Sequence, residues 1–502
     1  MSRRRSVLLV NPKITSRRKA RFPLSVLTLA GSLEGQYDSA IVDGNVENDG
    51  IAATLRAMDA NPHDAVGITV MGGPQVQTAI DVSVAIRERF PRTPIIWGGY
   101  FPTLYPAAAI NAPYVDYVVR GQGEVTFPSL LKALEDASNG DLAAIDGLTW
   151  RRDGQAVHNP DRKISAGQSL RPLPYEKLHD PRKYLPQTFM GQRTAAYQAA
   201  IGCRFRCTFC GVAALFRGVT ALPAAQRLEQ DLVYLRDHIG ADSIQFYDHN
   251  FFDREEDMIP LLEVMARHEL PWWCYARADA LLNLSAQTWK LVRKSRLRMA
   301  YIGAVSPNDE LLRSIRKGTC SDQTMAVAEL CRSNGVIPEL SFMVAPPEDP
   351  EGETERTFDF IRRIKRVNPD SEIIIYIHTP LPPESVPAST RSRLKPLRDH
   401  AGNPVVFPKT PAEWTQRRWV DYSCHANAPW LTDRLRRRIK DFVTVLTCRY
   451  PTLQDTRSPR WAKSTLRKVA AVRYRLAKYD RPWELDISRK LVRLMDPRVS
   501  SI

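Results

Sequence analysis

Three closely spaced cysteines near the middle of the chain have the residue type and spacing needed for metal chemistry. Cys203, Cys207 and Cys210 form the pattern C-x-x-x-C-x-x-C and are three of eight cysteines in 502 residues. Thiolates at this spacing can turn toward one point and hold three corners of a cubane 4Fe-4S cluster. A fourth nearby cysteine is absent, so the fourth iron of such a cluster would stay open to another ligand.

Two other interpretations of these thiols are open from their spacing. A structural zinc site needs four nitrogen or sulfur ligands, normally supplied by two paired hooks, and the second hook is absent. Free cysteines are often buried as small apolar residues, but Arg204 and Arg206 lie between these cysteines and make a poor core segment. We therefore favour the iron–sulfur cluster.

The bulk composition is that of a soluble globular protein, with 25% charged and 43% hydrophobic residues. The length predicts about three domains. The first 200 residues contain no cysteine, which excludes a secreted disulfide framework, and an open cluster needs a reducing compartment. We also expect no signal peptide and no transmembrane helix, because the apolar runs are too short. The predicted location is cytoplasmic.

Short apolar runs in the first 120 residues alternate with helical segments such as 74–90. The alternation predicts an open parallel α/β sheet, covered on both faces, with ligands at the carboxyl ends of its strands. The predicted strands are 6–10, 39–42, 65–70, 94–97 and 114–119. The candidate residues at or just beyond their carboxyl ends are Asn11, Asp43, Gly72, Gly98, Gly99, Gly121 and Glu124.

A second α/β region begins near residue 194 and leads directly into the cysteines. Its alternation predicts a partial (β/α)6 barrel of TIM type, whose active site lies at the carboxyl ends of the strands. The predicted strands are 194–200, 243–247, 272–277, 299–304, 337–343 and 372–377, and the predicted helices are 223–239, 255–268, 285–295, 321–334 and 353–368. The cysteine loop follows the first strand, which places it at that mouth.

These motifs in this order resemble the radical S-adenosylmethionine (radical SAM) superfamily, in the class with an N-terminal cobalamin-binding domain. The turns Gly98-Gly99-x-x-Pro-Thr and Arg-Gly121-x-Gly-Glu124 match that class. The resemblance implies a Rossmann-like cobalamin-binding domain over 1–150, a linker over 151–190 and a radical SAM barrel over 191–384. Asp43-Gly44-Asn45 lacks the histidine that ligates cobalt in methionine-synthase-type domains. A Rossmann-like domain without cobalamin therefore stays open as an alternative.

The resemblance also implies roles around SAM, whose amino and carboxylate groups would occupy the open iron. Phe209 would pack near the adenine, Asp248 would accept hydrogen bonds from the amino group, and Arg277 would clasp a carboxylate. Gly303 and Ser306 match a Gly-x-Glu-Ser segment, except that Val305 stands where the family has glutamate. The ribose contact normally made by that acid is therefore in doubt. Ile315-Arg-Lys317-Gly318-Thr319 follows as in the family.

The implied function is a cobalamin-dependent radical SAM C-methyltransferase, acting at an unactivated carbon through a 5′-deoxyadenosyl radical and methylcobalamin. The alternatives are a radical SAM cyclase, rearrangement enzyme or dehydratase, and, more distantly, a cobalamin- or redox-sensing module. The implied partners are a small-molecule or lipid-like substrate and an external electron donor of flavodoxin or ferredoxin type.

Residues 385–502 match no motif and predict a basic, mostly helical C-terminal domain. Residues 431–502 carry a net charge of +12 of the chain's +16. Residues 431–446 predict a helix with a basic face formed by Arg434, Arg436, Arg437, Arg438 and Lys440. Five tryptophans crowd the region, at positions 414, 419, 430, 461 and 483. A cap over the barrel with a solvated basic surface and a peripheral contact with anionic lipid both fit this pattern. No nucleic-acid module is recognised, so we expect no nucleic-acid partner.

Overall fold

The structure, a computed structural model, describes residues 5–135, 141–163, 171–221, 225–383, 396–455 and 460–495. Its first region is built on a seven-stranded sheet of order β2-β1-β3-β4-β5-β6-β7, in which the first five strands are parallel. The strands are β1 (Ser6–Asn11), β2 (Asp38–Asp43), β3 (Ala65–Thr69), β4 (Ile95–Gly98), β5 (Tyr117–Val119), β6 (Leu148–Arg152) and β7 (Gln155–His158).

Helices cover both faces of this sheet and explain the continuous apolar runs of its central strands. Val7 to Val10 of β1 are at most 1% exposed because they are buried on both faces. The helices are α1 (Leu24–Leu33), α2 (Gly50–Ala60), α3 (Gln75–Arg89), α4 (Tyr100–Leu104), α5 (Pro106–Ile110) and α6 (Gly123–Glu135). The predicted Rossmann-like architecture is confirmed.

Two details of this region differ from the sequence-based expectation. β6 and β7 form an antiparallel hairpin, so residues 151–158, predicted as the start of the linker, belong to the sheet. Arg152 and Gln155 face each other in its last register pair, and the positive φ of Asp153 and Gly154 closes the turn between them. The strand predicted over 114–119 begins only at Tyr117. Part of the predicted linker, 164–170, lies outside the described residues.

The second region is a six-stranded parallel sheet of order β15-β14-β13-β12-β11-β8. Its strands are β8 (Thr194–Tyr197), β11 (Ser243–Phe246), β12 (Trp272–Ala276), β13 (Leu297–Val305), β14 (Ile337–Val344) and β15 (Glu372–Ile377), and β9 (Ile201–Gly202) pairs separately with β10 (Thr220–Ala221). The helices are α7 (Gly211–Phe216), α8 (Ala225–Val233), α9 (Glu255–His268), α10 (Ala278–Leu282), α11 (Ala286–Lys294), α12 (Asp309–Ser314), α13 (Ser321–Ser333) and α14 (Pro350–Val367). The predicted succession of strands and helices is confirmed.

The described part of the C-terminal region is mostly helical, as predicted. It contains α15 (Pro411–Trp414), α16 (Arg417–Ser423), α17 (Asp433–Arg449), α18 (Arg460–Arg475) and α19 (Trp483–Met495). Trp430 donates from Nε1 to the carbonyl of Ala345 at 2.8 Å, and Phe442 stacks on Phe358 at 3.7 Å, so this region packs directly on the barrel. Among the helices described, none has the length and apolar character needed to cross a membrane.

Candidate functional site

The cysteine loop occupies residues 203–210, between β9 and α7. Cys207 is buried, whereas Cys203 and Cys210 are partly exposed, and all three thiols are free. Gly202 enters the loop with φ of 87°. A side chain there would overlap the carbonyl of Val219, so the short β9–β10 pair that frames the loop requires glycine.

Asp248, two residues after β11, binds the backbone segment that leads into the cysteine loop. Asp248 accepts hydrogen bonds from the backbone N–H groups of Ala199 at 3.0 Å and Ala200 at 2.5 Å. These bonds divert the chain from the sheet, which explains why β8 stops at Tyr197 rather than at residue 200. Burial raises the pKa of Asp248 to about 7, although the two N–H groups oppose that shift. Both carboxylate oxygens thus face the backbone, and Asp248 positions the cysteine loop.

Arg277 braces the loop from the neighbouring strand. Its Nε and Nη2 donate to the two oxygens of Asp279 at 3.0 and 2.9 Å, and Nη2 also donates to the carbonyl of Lys317 at 2.9 Å. The guanidinium lies 3.5 Å from the ring centroid of Phe205, where a cation–π contact adds to packing. The Arg277 guanidinium, predicted to bind a carboxylate, is already paired with the carboxylate of Asp279.

Phe209 lies beside the turn that follows α12. Thr208 donates from its backbone N–H to the carbonyl of Ile315 at 3.0 Å. Phe209 packs against a small apolar cluster of Val305, Leu312 and Ile315. The end of β13 and the cysteine loop are therefore in contact, as the barrel-mouth prediction requires.

Gly303 and Ser306 mark an irregular end of β13. The register shifts between Gly303 and Val305, and Val305 has a φ of 67°, which is unusual for a β-branched residue. Ser306 donates from Oγ to Glu353 at 3.3 Å, and Asn308 donates from Nδ2 to the same carboxylate at 2.6 Å. Sequence reasoning missed Glu353, a buried acid that α14 brings close to the position where the family motif has its glutamate.

Three cysteine thiols, with no fourth cysteine in the loop, are the donor set of a cubane cluster whose fourth iron is open to another ligand. Within the described ranges, no group of three or more His, Cys, Asp or Glu residues could hold a metal ion. The thiols nevertheless interact: Cys207 and Cys210 both raise the pKa of Cys203, after the larger effect of burial, to about 11.

At the carboxyl edge of the first sheet, Asn11 and Asp43 belong to a buried polar network centred on Asp43 Oδ1. Asp43 accepts from Asn11 Nδ2 at 3.0 Å and from the N–H of Asn45 at 2.9 Å, while Gln75 donates to Asn11 Oδ1 at 3.0 Å. Burial raises the pKa of Asp43 to about 6, against the lowering effect of these hydrogen bonds. The network fixes the turns after β1, β2 and β3 relative to one another.

The glycines of this edge allow close approach of backbone and neighbouring groups. Gly99 has a φ of 95°, and a Cβ there would lie 2.9 Å from Thr69 Oγ1. Gly98 is uncrowded, whereas a Cβ on Gly72 would meet Ser423 of α16 at 3.3 Å. Gly121, with a φ of 70°, donates from its N–H to Thr103 Oγ1 at 2.9 Å. The predicted glycines thus shape the turns.

Glu124 and Met71 are two side chains of this edge that could contact a bound ligand. Glu124 Oε2 is buried without a hydrogen-bond partner among the described residues, and burial raises the pKa of this carboxyl. Met71, by contrast, is 47% exposed at the end of β3. An exposed apolar side chain at this edge fits the apolar face of a flat macrocycle such as a corrin. The turn after β2 offers no histidine to cobalt.

The carboxyl edge of the first sheet meets the cysteine loop at Tyr100. A Cβ on Gly211, the residue after Cys210, would overlap the Tyr100 hydroxyl and lie 2.6 Å from its Cε2. Burial raises the pKa of Tyr100, and the nearby Cys210 thiol raises it further. Beside this contact, Asp161 bridges Arg120, at the end of β5, and Arg217, just after α7. Sequence reasoning missed Tyr100, although it lies inside the Gly98-Gly99-x-x-Pro turn.

Two family models match the chain. The model described as the B12 binding domain matches residues 15–131, and the model described as the Radical SAM superfamily matches residues 197–361. The first match includes four of the seven strands of the first sheet, β2 to β5. The second begins at the end of β8 and includes the whole cysteine loop.

Curated relatives carry both methyltransferase and cyclase names. An uncharacterized methyltransferase of Pyrococcus horikoshii is 24% identical over 68% of this chain and 73% of its own length. The anaerobic magnesium-protoporphyrin IX monomethyl ester cyclase of Synechocystis is 25% identical over 59% of this chain and 58% of its own. The hopanoid C-3 methylase of Methylococcus capsulatus is 24% identical over 72% of this chain and 67% of its own.

Solved structures share the fold over almost the whole chain. The radical S-adenosylmethionine methyltransferase TsrM of Kitasatospora setae matches with a TM-score of 0.66 at 16% identity, covering 99% of this chain and 100% of that one. The cobalamin-dependent radical enzyme OxsB matches with a TM-score of 0.68 at 17% identity, covering 99% of this chain and 76% of that one. The chain thus joins a B12-binding domain to a radical SAM domain, in that order.

Proposed function

We propose that the protein is a cobalamin-dependent radical SAM enzyme that methylates an unactivated carbon. The observation that carries this proposal is the contact between Tyr100 and the Cys210–Gly211 segment. It brings the ligand-binding edge of the B12-binding domain against the cysteine loop of the barrel. A carbon held between these two edges can be reached from both sides.

The chain's own residues divide the work of binding and positioning. Cys203, Cys207 and Cys210 hold the cluster, and Phe209, Gly303 and Ser306 line the SAM site beside it. Asp248 and Arg277 fix the loop through the backbone and through Phe205. When bound, the cluster, SAM and cobalamin supply a carbon-centred radical and a transferable methyl group.

The B12-binding edge would contribute to corrin binding through the shape of its surface rather than through a side chain that ligates cobalt. The Asn11, Asp43 and Gln75 network fixes its turns, while Gly72, Gly98, Gly99, Gly121 and Glu124 would border the corrin. The barrel mouth adjoins this edge at Tyr100, and the chemistry requires that a reactive carbon be held there close to both cofactors.

A radical cyclase is the second candidate, favoured by relatives named as magnesium-protoporphyrin ester cyclases at similar identity. Methyl-labelled SAM separates the two. The native protein is reconstituted anaerobically with iron, sulfide, reductant and cobalamin, then given labelled SAM. A methyltransferase forms S-adenosylhomocysteine with label in the bound corrin, and it also forms 5′-deoxyadenosine. A protein that forms 5′-deoxyadenosine but never S-adenosylhomocysteine is not a methyltransferase.

The domain boundaries that we propose keep 191–384 as the barrel and 385–502 as the C-terminal domain, while the first domain extends to residue 158 with β7. Substrate and electron donor follow from the class: a small or lipid-like molecule, and an external one-electron donor of flavodoxin or ferredoxin type.

We also propose that the C-terminal domain contacts an anionic lipid surface at the periphery. Trp414, Trp419 and Trp430 are buried, but Trp483 is 65% exposed. Three further apolar side chains of this region are also exposed: Val472, Leu476 and Ile487. Arg438, predicted for the basic face, is instead paired with Glu355 and Asp480. Sedimentation with phosphatidylglycerol vesicles should fall for Trp483→Ser and be absent with phosphatidylcholine; equal binding of the variant contradicts the contact.

A further inference from the structure

Lys317 is a buried cation that none of the roles above uses. It lies in the turn after α12, between Arg316 with φ of 54° and Gly318 with φ of 71°. Its backbone N–H donates to Leu312 at 2.9 Å, and its carbonyl accepts from Arg277 at 2.9 Å. The turn is therefore fixed at both ends, and the residue is only 6% exposed.

The ammonium of Lys317 has no acid to neutralise it. Among the residues that the structure describes, Lys317 forms no ion pair, and its Nζ donates no hydrogen bond. Asp279 is the acid that raises the pKa of Lys317, but its carboxylate is already paired with the guanidinium of Arg277. Taking a charge out of water without a partner is costly, so a fold that retains one normally gains a counter-charge elsewhere.

Gly303 adjoins this ammonium, and the turn that carries Lys317 is bonded to the cysteine loop: Thr208, between Cys207 and Cys210, donates its N–H to the carbonyl of Ile315 at 3.0 Å. Cys207 and Cys210 favour its charged form, whereas burial and then Arg277 disfavour it and lower the pKa of Lys317. A Cβ on Gly303 would lie 3.0 Å from Nζ. Gly303 therefore leaves the space in which the ammonium sits, beside the turn that contacts the cysteine loop.

We infer that Lys317 supplies the counter-charge of the iron–sulfur cluster and raises its reduction potential. The inference rests on the proposed function, because it needs a cluster at the three cysteines. Each thiolate adds a negative charge, and reduction adds one more. A fixed positive charge beside the cluster stabilises the reduced state more than the oxidised state, and the low dielectric of a buried site strengthens that effect.

The test is a redox titration of the reconstituted full-length protein, monitored by the EPR signal of the reduced cluster and carried out without SAM. Lys317→Met and Lys317→Gln remove the charge, and Lys317→Arg keeps it. Lys365→Met is the matched control, because Lys365 is also 6% exposed but bonds to the carbonyls of Pro369 and Ser371, away from the loop. Iron and sulfide content, and SAM binding, are measured on each sample.

Both neutral variants should titrate at a more negative potential than the native protein, with Lys317→Arg and Lys365→Met unchanged. Loss of the cluster from both neutral variants, with retention in Lys317→Arg, supports the same counter-charge. An unchanged potential in a loaded neutral variant overturns the inference. If SAM affinity then falls instead, Lys317 serves the SAM carboxylate. Absence of a cluster from the native protein overturns the proposed function itself, and this inference with it.

Discussion

The cysteine loop and the carboxyl edge of the first sheet solve the problem of holding a cofactor in opposite ways. The loop is held from outside, by Asp248 below it, Arg277 beside it and the Ile315 carbonyl across from it. The edge is held from within, by a polar network of its own turns. Thiolate ligands must be held in a defined orientation, whereas a macrocycle needs a smooth surface. Substitutions in the two regions are therefore expected to have different effects.

The largest effect is expected from the ligands themselves. Cys207→Ala should abolish the cluster and SAM cleavage, because one corner of a cubane would lose its only protein ligand. Bound corrin should be unaffected, since the carboxyl edge does not depend on the loop for its own shape. Measuring iron, sulfide and corrin in one preparation checks both the loss of the cluster and the retention of corrin. Cys331→Ala, at a buried cysteine of α13, is the control and should keep its cluster.

Gly211→Ala should have the second-largest effect, because it disrupts the contact between the two regions. The added Cβ would overlap Tyr100, and overpacking of this kind costs about 1–3 kcal/mol. We expect a lower midpoint of thermal unfolding and less cluster. Tyr100→Ala should restore both in the double variant. A double variant as impaired as Gly211→Ala would show that the two residues do not meet.

The type and order of the elements could be predicted because apolar runs and helical periods are local properties of the sequence. The three cysteines could be predicted for the same reason, since their spacing is itself the signal. What Asp248 and Arg277 touch could not, because their partners, the Ala199–Ala200 backbone and Phe205, lie far from them in sequence. Tyr100 and Glu353 were missed, and Lys317 was recognised only as part of a motif, because the importance of all three arises from tertiary contacts.

Gly99→Ala should affect the edge and leave the loop intact. The residue combines φ of 95° with a Cβ position 2.9 Å from Thr69 Oγ1, and such backbone strain costs about 1–3 kcal/mol. Corrin affinity should weaken while cluster content stays at the native level. Gly154→Ala, with φ of 77° but nothing within 4 Å of its Cβ, separates backbone strain from the clash. Equal corrin binding in Gly99→Ala would contradict the role given to this turn.

The smallest effect is expected from Asp43 and depends on pH. Its folded pKa of about 6 lies above the ordinary value of 3.8, so between these values the folded state holds a proton that the unfolded state releases. Stability contributed by this group is therefore complete below about pH 4, declines as pH rises to about 6 and then stays level. Asp43→Asn should remove that decline, as measured by denaturant unfolding across the range. Asp49→Asn, at the exposed cap of α2, should not.

The central claim is that one chain places its corrin edge against its cluster loop. EPR of the protein loaded with Co(II) cobalamin and the reduced cluster tests it directly, because both centres carry an unpaired spin. We expect a dipolar interaction between the two signals in the native protein, and an unperturbed cobalt signal when all three loop cysteines are replaced by alanine. Two independent, uncoupled signals in the fully loaded native protein would contradict it.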